Sequence, residues 1–132
     1  MTSYLINAVG PVLVAQAFSP LLGLPAEKDK LPVYAILSSK VGSVYDNTSG
    51  GTYAYRSSKA AVNNICKSLS VDLEGLASVV CLHPGYVRTD MTNGNGLIDK
   101  DESVAGMLRA IEATDGTVGF RFVDYKACII PW

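Results

Sequence analysis

Two residues four positions apart, Tyr55 and Lys59, suggest the clearest chemistry in this sequence. In a helix, positions i and i+4 lie on one face, so the phenol and the ammonium would lie within reach of each other. A free tyrosine has a pKa of about 10, but a cation about 4 Å away at an effective dielectric near 20 contributes roughly 4 kcal/mol, about three pKa units. The pair therefore predicts a tyrosine that exchanges a proton near neutral pH, although a surface tyrosine beside a lysine also has this spacing.

The helix that carries this pair is predicted from about Tyr53 to Glu74. Its apolar residues recur every three or four positions, and Gly75 follows where a helix end commonly needs a left-handed residue. The apolar row consists of Val62, Ile65, Leu69 and Leu73.

Short apolar runs on either side of this helix predict strands. Val33–Leu37 and Ser78–Leu82 are rich in apolar residues, which is typical of parallel strands covered on both faces. Strand, helix and strand in this order form a parallel βαβ unit. Further predicted segments are a helix at Thr2–Leu22, a loop at Gly23–Pro32, a helix at Lys100–Ala113 and a strand at Gly119–Val123. We therefore predict one α/β domain over residues 1–132, with about three strands and three helices.

The composition indicates a protein partner rather than nucleic acid. Hydrophobic residues make up 48% of the chain, and 11 Lys and Arg nearly balance 12 Asp and Glu, with no basic stripe. The uncharged stretch Tyr4–Pro25 is long enough to span a bilayer. It is interrupted by polar residues and by glycine and proline, and it lacks the basic start of a signal peptide; the interrupting residues are Asn7, Gln16, Ser19, Gly10, Pro11 and Pro20. We expect this helix to be buried against protein, not inserted in a membrane.

The cysteines predict a reducing compartment, with a cytoplasmic location as the expectation. Cys66, Cys81 and Cys128 are odd in number, widely spaced and not in a CxxC motif, so they are expected to be reduced and mostly buried. His83 is expected to be a packing or capping residue, and no metal site is predicted.

Several motifs together resemble the short-chain dehydrogenase/reductase family, in its sniffer-like or C-factor-like carbonyl reductase branch. The resemblance covers essentially the whole chain, in the family's order. The resembling stretches are Ile6-Asn7-Ala8-Val9-Gly10-Pro11, Ile36-Leu37-Ser38-Ser39, Tyr53-Ala54-Tyr55-Arg56-Ser57-Ser58-Lys59-Ala60-Ala61, His83-Pro84-Gly85-Tyr86-Val87-Arg88-Thr89-Asp90-Met91 and Ile130-Pro131-Trp132.

The resemblance implies a catalytic tetrad of Asn7, Ser39, Tyr55 and Lys59. Tyr55 would give a proton to a carbonyl oxygen, Lys59 would bind the nicotinamide ribose, and Ser39 would polarise the carbonyl. Asn7 would hold a water that links Lys59 to solvent. Pro11 offers a physical reason for that water, because it has no N–H and so frees the carbonyl four residues earlier, at Asn7; a simple packing kink is the alternative.

The serine assignment has two candidates. Ser39 lies sixteen residues before Tyr55, three more than is common in the family, and the turn-rich stretch Asp46–Gly51 would accommodate the difference. Ser43, twelve residues before Tyr55, is the competitor. Ser38 is expected to face the other side of the strand end.

The resemblance also implies half of a dinucleotide site. Pro84, Gly85, Val87 and Thr89 would contact the nicotinamide of NADP or NAD, with NADP favoured, although a plain strand-to-helix turn is the alternative. The 132 residues do not contain the family's glycine-rich T-G-x-x-x-G-x-G turn or its first four strands. The chain is thus expected to be the carboxyl-terminal half of a Rossmann-like doubly wound sheet.

Two functions follow from these expectations. One is the catalytic half of an NAD(P)-dependent oxidoreductase that acts on a small carbonyl substrate and is inactive without the cofactor-binding half. The other is a non-catalytic structural or assembly subunit. In either case, association with a partner or a second copy is expected through helices 2–22 and 53–74 and the open strand edge at 33–37.

Overall fold

A three-stranded parallel sheet lies at the centre of the computed structural model, which describes residues 2–22, 30–114 and 119–132. The predicted α/β fold with three parallel strands and three helices is confirmed. The helices are α1 (Thr2–Leu22), α2 (Tyr53–Asp72) and α3 (Lys100–Glu112), and the strands are β1 (Val33–Leu37), β2 (Ser78–His83) and β3 (Arg121–Asp124).

The sheet has the order β1-β2-β3, and both pairs of strands are parallel. The register sets Leu37 opposite Leu82 and His83 opposite Asp124, so the carboxyl ends of the strands meet at one edge of the sheet. Within the described residues β1 pairs only with β2, and its other edge is open. The open edge predicted at 33–37 is therefore present in this part of the chain.

Helices cover both faces of the sheet, which explains why β2 is apolar along almost its whole length. On one face α2 packs against the sheet, with α1 lying beside α2. On the other face α3 packs against β2 and β3. The buried residues of the first face are Ile36, Val62, Cys66, Leu73, Ala77, Val79, Cys81, Phe122 and Ile130, and those of the second are Val80, Leu82, Ala110 and Val123.

The first helix has the predicted bounds, but it is not a regular α-helix throughout. Leu5–Val9 forms a wide π turn in which the Gly10 N–H donates to the Leu5 carbonyl, immediately before Pro11. Such wide turns are often found at functional sites. The sequence prediction of a continuous helix missed this turn, because five residues are too few to change the apolar spacing of the helix.

Most of the apolar surface of α1 is uncovered in this chain, and only Ala8 and Ala15 are buried. By length and composition alone, α1 could cross a membrane: its most apolar 18-residue stretch has a mean hydropathy of 1.6, and 11% of that stretch is buried. Helices that pack in protein cores and signal sequences also meet this criterion. The exposed large side chains are Tyr4, Leu5, Ile6, Val9, Leu13, Val14, Phe18 and Leu21.

Other elements differ from the sequence predictions by small shifts. The last strand is Arg121–Asp124 rather than Gly119–Val123, and α2 ends two residues early, with Gly75 in the left-handed conformation at φ +76°. The predicted loop at Gly23–Pro32 lies outside the described residues except at its last three positions. Of the three free thiols, Cys66 and Cys81 are buried and Cys128 is exposed, which agrees with the expectation that the cysteines are mostly buried.

Candidate active site

A cavity of about 770 Å³ opens at the carboxyl ends of β1 and β2. This is the edge of a parallel sheet where ligands commonly bind. Most of the predicted site residues line it, whereas Asn7 and Lys59 are not among its lining residues. The predicted residues in the lining are Ser39, Tyr55, Pro84, Gly85, Val87 and Thr89.

Tyr55 and Lys59 lie on the same side of α2, as their spacing predicts. The Lys59 ammonium nitrogen is 5.9 Å from the centroid of the Tyr55 ring, and it donates to the Leu37 carbonyl at 3.3 Å. Burial lowers the pKa of Lys59, and the nearby thiols of Cys81 and Cys66 oppose that shift. The arrangement places a cation beside the phenol, at the open end of β1.

Three serines follow β1, and the structure separates their surroundings. Ser39 lines the cavity at the start of the 3-10 turn Lys40–Gly42, where its Oγ accepts from the Val41 N–H at 3.4 Å. Ser38 Oγ donates to Asn63 Oδ1 in α2 at 2.5 Å. Ser43 lies outside the lining and is buried.

Ser43 has both of its hydrogen-bonding directions engaged. Its Oγ donates to the Pro131 carbonyl at 2.6 Å and accepts from the Asp46 N–H at 3.0 Å. This geometry favours Ser39 over Ser43 as the serine that meets a substrate. Ser43 instead connects the loop after β1 to the segment that follows β3.

Asn7 is connected to the backbone of Tyr55 through one intermediate residue. The Asn7 Nδ2 donates to Ser58 Oγ at 3.0 Å, and Ser58 Oγ donates to the Tyr55 carbonyl at 2.8 Å. Asn7 lies inside the wide turn of α1, which brings its side chain onto α2. The expected role of Asn7 in holding a water near Lys59 stays a prediction.

The segment after β2 forms the opposite wall of the cavity. The Pro84 carbonyl accepts from Ser103 Oγ at 2.6 Å, and Gly85 has φ +90°. A Cβ at Gly85 would lie 2.8 Å from Ile98 Cδ1, so the chain needs glycine here. Val87 then pairs with Ile98 in an isolated parallel bridge.

These residues fit the nicotinamide end of a dinucleotide by their chemistry. Tyr55, Val87 and Thr89 line one cavity, and the Lys59 ammonium lies 5.9 Å from the centroid of the Tyr55 ring. A ribose and a carboxamide are neutral groups that need such hydrogen-bonding partners. The sequence predicts no residues that would bind the pyrophosphate of the dinucleotide.

His83 also lines the cavity, beyond the packing or capping role expected of it. Its Nδ1 is buried and has no hydrogen-bond partner among the described residues. Burial lowers the pKa of His83, Asp124 raises it and Lys40 lowers it. His83 therefore favours the neutral imidazole. No group of three His, Cys, Asp or Glu side chains in the described segments could hold a metal ion.

Three contributors to the site were missed by sequence reasoning: Ser58, Arg56 and the segment Pro131–Trp132. Trp132 stacks on Phe120 with ring centroids 4.5 Å apart, and its carbonyl accepts from the Tyr45 N–H at 2.7 Å. Arg56 directly follows Tyr55, and its side chain donates to the carbonyl of Gly50 in the glycine pair before α2. In the sequence, this closeness to Tyr55 and to the glycine pair was the signal that could have indicated its role.

Comparison with known proteins gives consistent matches. The profile of a family described as short chain dehydrogenase matches residues 1–97. C-signal from Myxococcus xanthus is 42% identical over 132 residues, a match that covers 98% of this chain and 76% of that protein.

Solved structures show the same relationship. Carbonyl reductase Sniffer of D. melanogaster superposes with a TM-score of 0.86 and 36% identity, over 96% of this chain and 54% of that one. The NADPH-bound carbonyl reductase from chicken fatty liver gives a TM-score of 0.86 and 32% identity, over 98% and 55%. The chain thus spans about half the length of these two structures.

Proposed function

The chain belongs to the short chain dehydrogenase family, and from this premise we propose that it carries the catalytic half of an NAD(P)-dependent oxidoreductase that interconverts a small carbonyl compound and its alcohol. The observation that carries the proposal is the position of Lys59, with its ammonium 5.9 Å from the ring of Tyr55, while Tyr55 and Ser39 border one cavity.

Reduction of a carbonyl adds one hydride to carbon and one proton to oxygen, and this chain's residues handle the proton. The Tyr55 hydroxyl donates it to the carbonyl oxygen, and the positive charge of Lys59 stabilises the phenolate that remains. Ser39 Oγ donates a hydrogen bond to the same carbonyl oxygen and polarises it. Asn7 supports the backbone of Tyr55 through Ser58 and would hold the water that returns a proton.

The cofactor would be held at its nicotinamide end by Lys59, Val87 and Thr89, next to Pro84 and Gly85. When bound, the reduced nicotinamide supplies the hydride. NADP is favoured over NAD because the chicken fatty liver carbonyl reductase is described as NADPH-bound. The phosphates would need a nucleotide-binding half that supplies the glycine-rich turn, so activity is expected only when that half is present.

The test is to supply a nucleotide-binding half, in trans or as a fusion, and to follow NADPH oxidation with small aldehydes and quinones. Tyr55→Phe should reduce kcat about a hundredfold or more, since positioned acid–base groups contribute about that much. Tyr53→Phe is the matched control, because Tyr53 is 84% exposed and outside the cavity lining. Wild-type turnover in Tyr55→Phe would refute the assignment.

A second candidate, an assembly subunit, is favoured by the uncovered face of α1. Leu5, Ile6 and Leu13 are 55%, 67% and 58% exposed, and β1 has an open edge in the described part of the chain. Contiguous apolar surface of this kind marks association with protein. A partner or second copy would bind through 2–22, 53–74 and 33–37.

Size-exclusion chromatography with light scattering, together with melting temperatures, each measured with and without NADP⁺, separates the two candidates. Stabilisation by NADP⁺ supports the enzyme, and self-association without any cofactor effect supports the assembly subunit. A well-folded monomer would contradict obligatory assembly. A reducing, cytoplasmic location is proposed for either function, supported by the free buried thiols of Cys66 and Cys81.

A further inference from the structure

We propose that Arg56 is a positioning residue, which holds the strained segment before α2 in place and thereby fixes the position of Tyr55 beside the cavity. The proposal rests on the proposed function for its catalytic consequence, but its structural part is tested separately. Arg56 directly follows Tyr55 in the first turn of α2 and lines the same cavity.

All three guanidinium nitrogens of Arg56 are engaged. Nε donates to the Gly50 carbonyl at 3.0 Å, Nη2 donates to Ser49 Oγ at 2.8 Å, and Nη1 donates to the Val41 carbonyl at 3.3 Å. These partners lie on two segments, the loop before α2 and the turn that follows Ser39. A planar guanidinium makes such divergent contacts with little loss of freedom, which a lysine ammonium does not.

The positively charged guanidinium of Arg56 donates its hydrogen bonds to neutral acceptors. Among the residues that the structure describes, the one salt bridge joins Lys40 and Asp46 at 3.2 Å, and Arg56 takes no part in it. Backbone carbonyls and a hydroxyl therefore receive hydrogen bonds from a cation, which are stronger than those from neutral donors. The contacts fix geometry rather than neutralise a carboxylate.

The segment that Arg56 holds is strained. Gly50, Gly51 and Thr52 are three successive residues in the left-handed region, with φ of 61°, 69° and 42°. For a β-branched residue such as Thr52 this conformation is an outlier. Backbone of this kind persists only where the surroundings hold it, and Asn47 Oδ1 adds one further contact, accepting from the Gly50 N–H at 3.0 Å.

The strained segment in turn sets the start of the catalytic helix. The Thr52 carbonyl accepts from the N–H of Tyr55 at 3.0 Å and from that of Arg56 at 2.9 Å, while the Thr52 side chain makes no capping hydrogen bond. The loop is thus joined to the start of α2 at two points, by the Arg56 guanidinium and by the Thr52 carbonyl that binds the N–H of Tyr55. Without the guanidinium the loop would relax toward ordinary φ values, and Tyr55 would shift relative to Ser39.

The structural part is tested by amide hydrogen exchange followed by NMR on the 132-residue chain. Arg56→Met should accelerate exchange at Gly50 and Tyr55 about tenfold or more, since losing hydrogen bonds to a charged group weakens local protection by about that factor. The Ser38 amide, which donates to the Leu82 carbonyl in the sheet, should be unchanged. Lys67→Met is the control for losing a cation from α2.

Arg56→Lys distinguishes geometry from charge and also serves if Arg56→Met fails to fold. A lysine ammonium keeps the positive charge but lacks the planar set of N–H donors of the guanidinium. In Arg56→Lys the amides of Gly50 and Tyr55 should therefore exchange almost as fast as in Arg56→Met. Wild-type exchange in either variant overturns the proposal. Uniform acceleration across the sheet overturns it as well, because it would mean a loss of global stability.

The catalytic consequence is tested in the assembled enzyme of the preceding proposal. Arg56→Met should lower kcat about tenfold or more with a smaller change in KM for the cofactor, at a temperature well below the melting temperature of both proteins, since small misplacements of reacting groups are costly. If kcat is unchanged, positioning is wrong. If the wild-type enzyme shows no turnover, the proposed function fails, and the exchange measurements still decide the role of Arg56.

Discussion

Gly42 lies directly against the backbone of Lys59, and a Cβ added at Gly42 would stand 2.6 Å from the Lys59 carbonyl carbon. This close contact packs the turn that follows Ser39 onto the first turns of α2. Because Gly42 has no side chain, this turn and the helix pack closely together. The close packing fixes the position of Ser39 relative to Tyr55.

Gly42→Ala should destabilise the chain by about 2 kcal/mol, because the contacted atoms are helix backbone and do not yield. Thermal or urea unfolding measures the effect. Gly10→Ala is the matched control, since its Cβ would lie 3.4 Å from the Leu5 carbonyl oxygen and alanine favours helices by up to about 1 kcal/mol. Equal stability of Gly42→Ala and wild type would show that the contact is looser than described.

Thr52→Gly should raise the free energy of unfolding by about 0.5–1 kcal/mol. It removes the left-handed strain of a β-branched residue, and the greater flexibility of glycine in the unfolded chain offsets part of the gain. Thr48→Gly, in the same loop but without a positive φ, should instead be destabilising. Melting curves of the two variants should therefore shift in opposite directions.

The stability of the chain should depend on pH through Lys59. Burial lowers the pKa of Lys59, so the unfolded chain retains a proton that the folded chain has released. The contribution of Lys59 to the free energy of unfolding therefore rises as the pH increases through the folded-state pKa, up to the unfolded value of about 10.4.

The measurement compares urea unfolding of wild type and Lys59→Met at about pH 7 and about pH 10. Relative to Lys59→Met, wild type should gain stability at the higher pH. The same comparison with Lys67→Met accounts for changes common to lysine substitution. A difference that is flat or falls with pH contradicts the burial of the Lys59 ammonium.

The three thiols should differ sharply in reactivity. A hydrogen bond with Cys81, followed by burial, raises the pKa of Cys66, and both residues are inside the core, whereas Cys128 is exposed. Because the thiolate is the reactive form, a maleimide should label the native chain only at Cys128. Cys128→Ser should abolish fast labelling until denaturant is added. Rapid modification of Cys66 or Cys81 in the native chain would count against this core.

The sequence was sufficient for the parts of the fold that rest on local patterns. The strands Val33–Leu37 and Ser78–His83 were predicted nearly to the residue, because each is a short apolar run bounded by proline, glycine or serine. The shared face of Tyr55 and Lys59 followed from helix geometry alone.

The parts that could not be predicted depend on contacts between distant residues. Asn7 bonds Ser58 across 51 positions, and Ser43 bonds Pro131 across 88 positions. Neither pairing leaves a periodic signal in the sequence. The wide turn at Leu5–Val9 was missed for a different reason, because a single π turn is too short to change the apolar pattern of the helix. The contacts of Arg56 depend on a loop whose left-handed run includes a threonine.

The hydrogen bond from Lys59 to the Leu37 carbonyl has a consequence for how the molecule is completed. The Ser38 N–H donates to β2, so the alternation of a parallel strand turns the Leu37 carbonyl away from β2, to the edge of β1 that is open among the described residues. The ammonium thus binds this carbonyl as the backbone N–H of a neighbouring strand would bind it. A strand docking along that side would claim the carbonyl and release the amine. Docking of such a strand and release of the Lys59 amine toward Tyr55 would then be a single event.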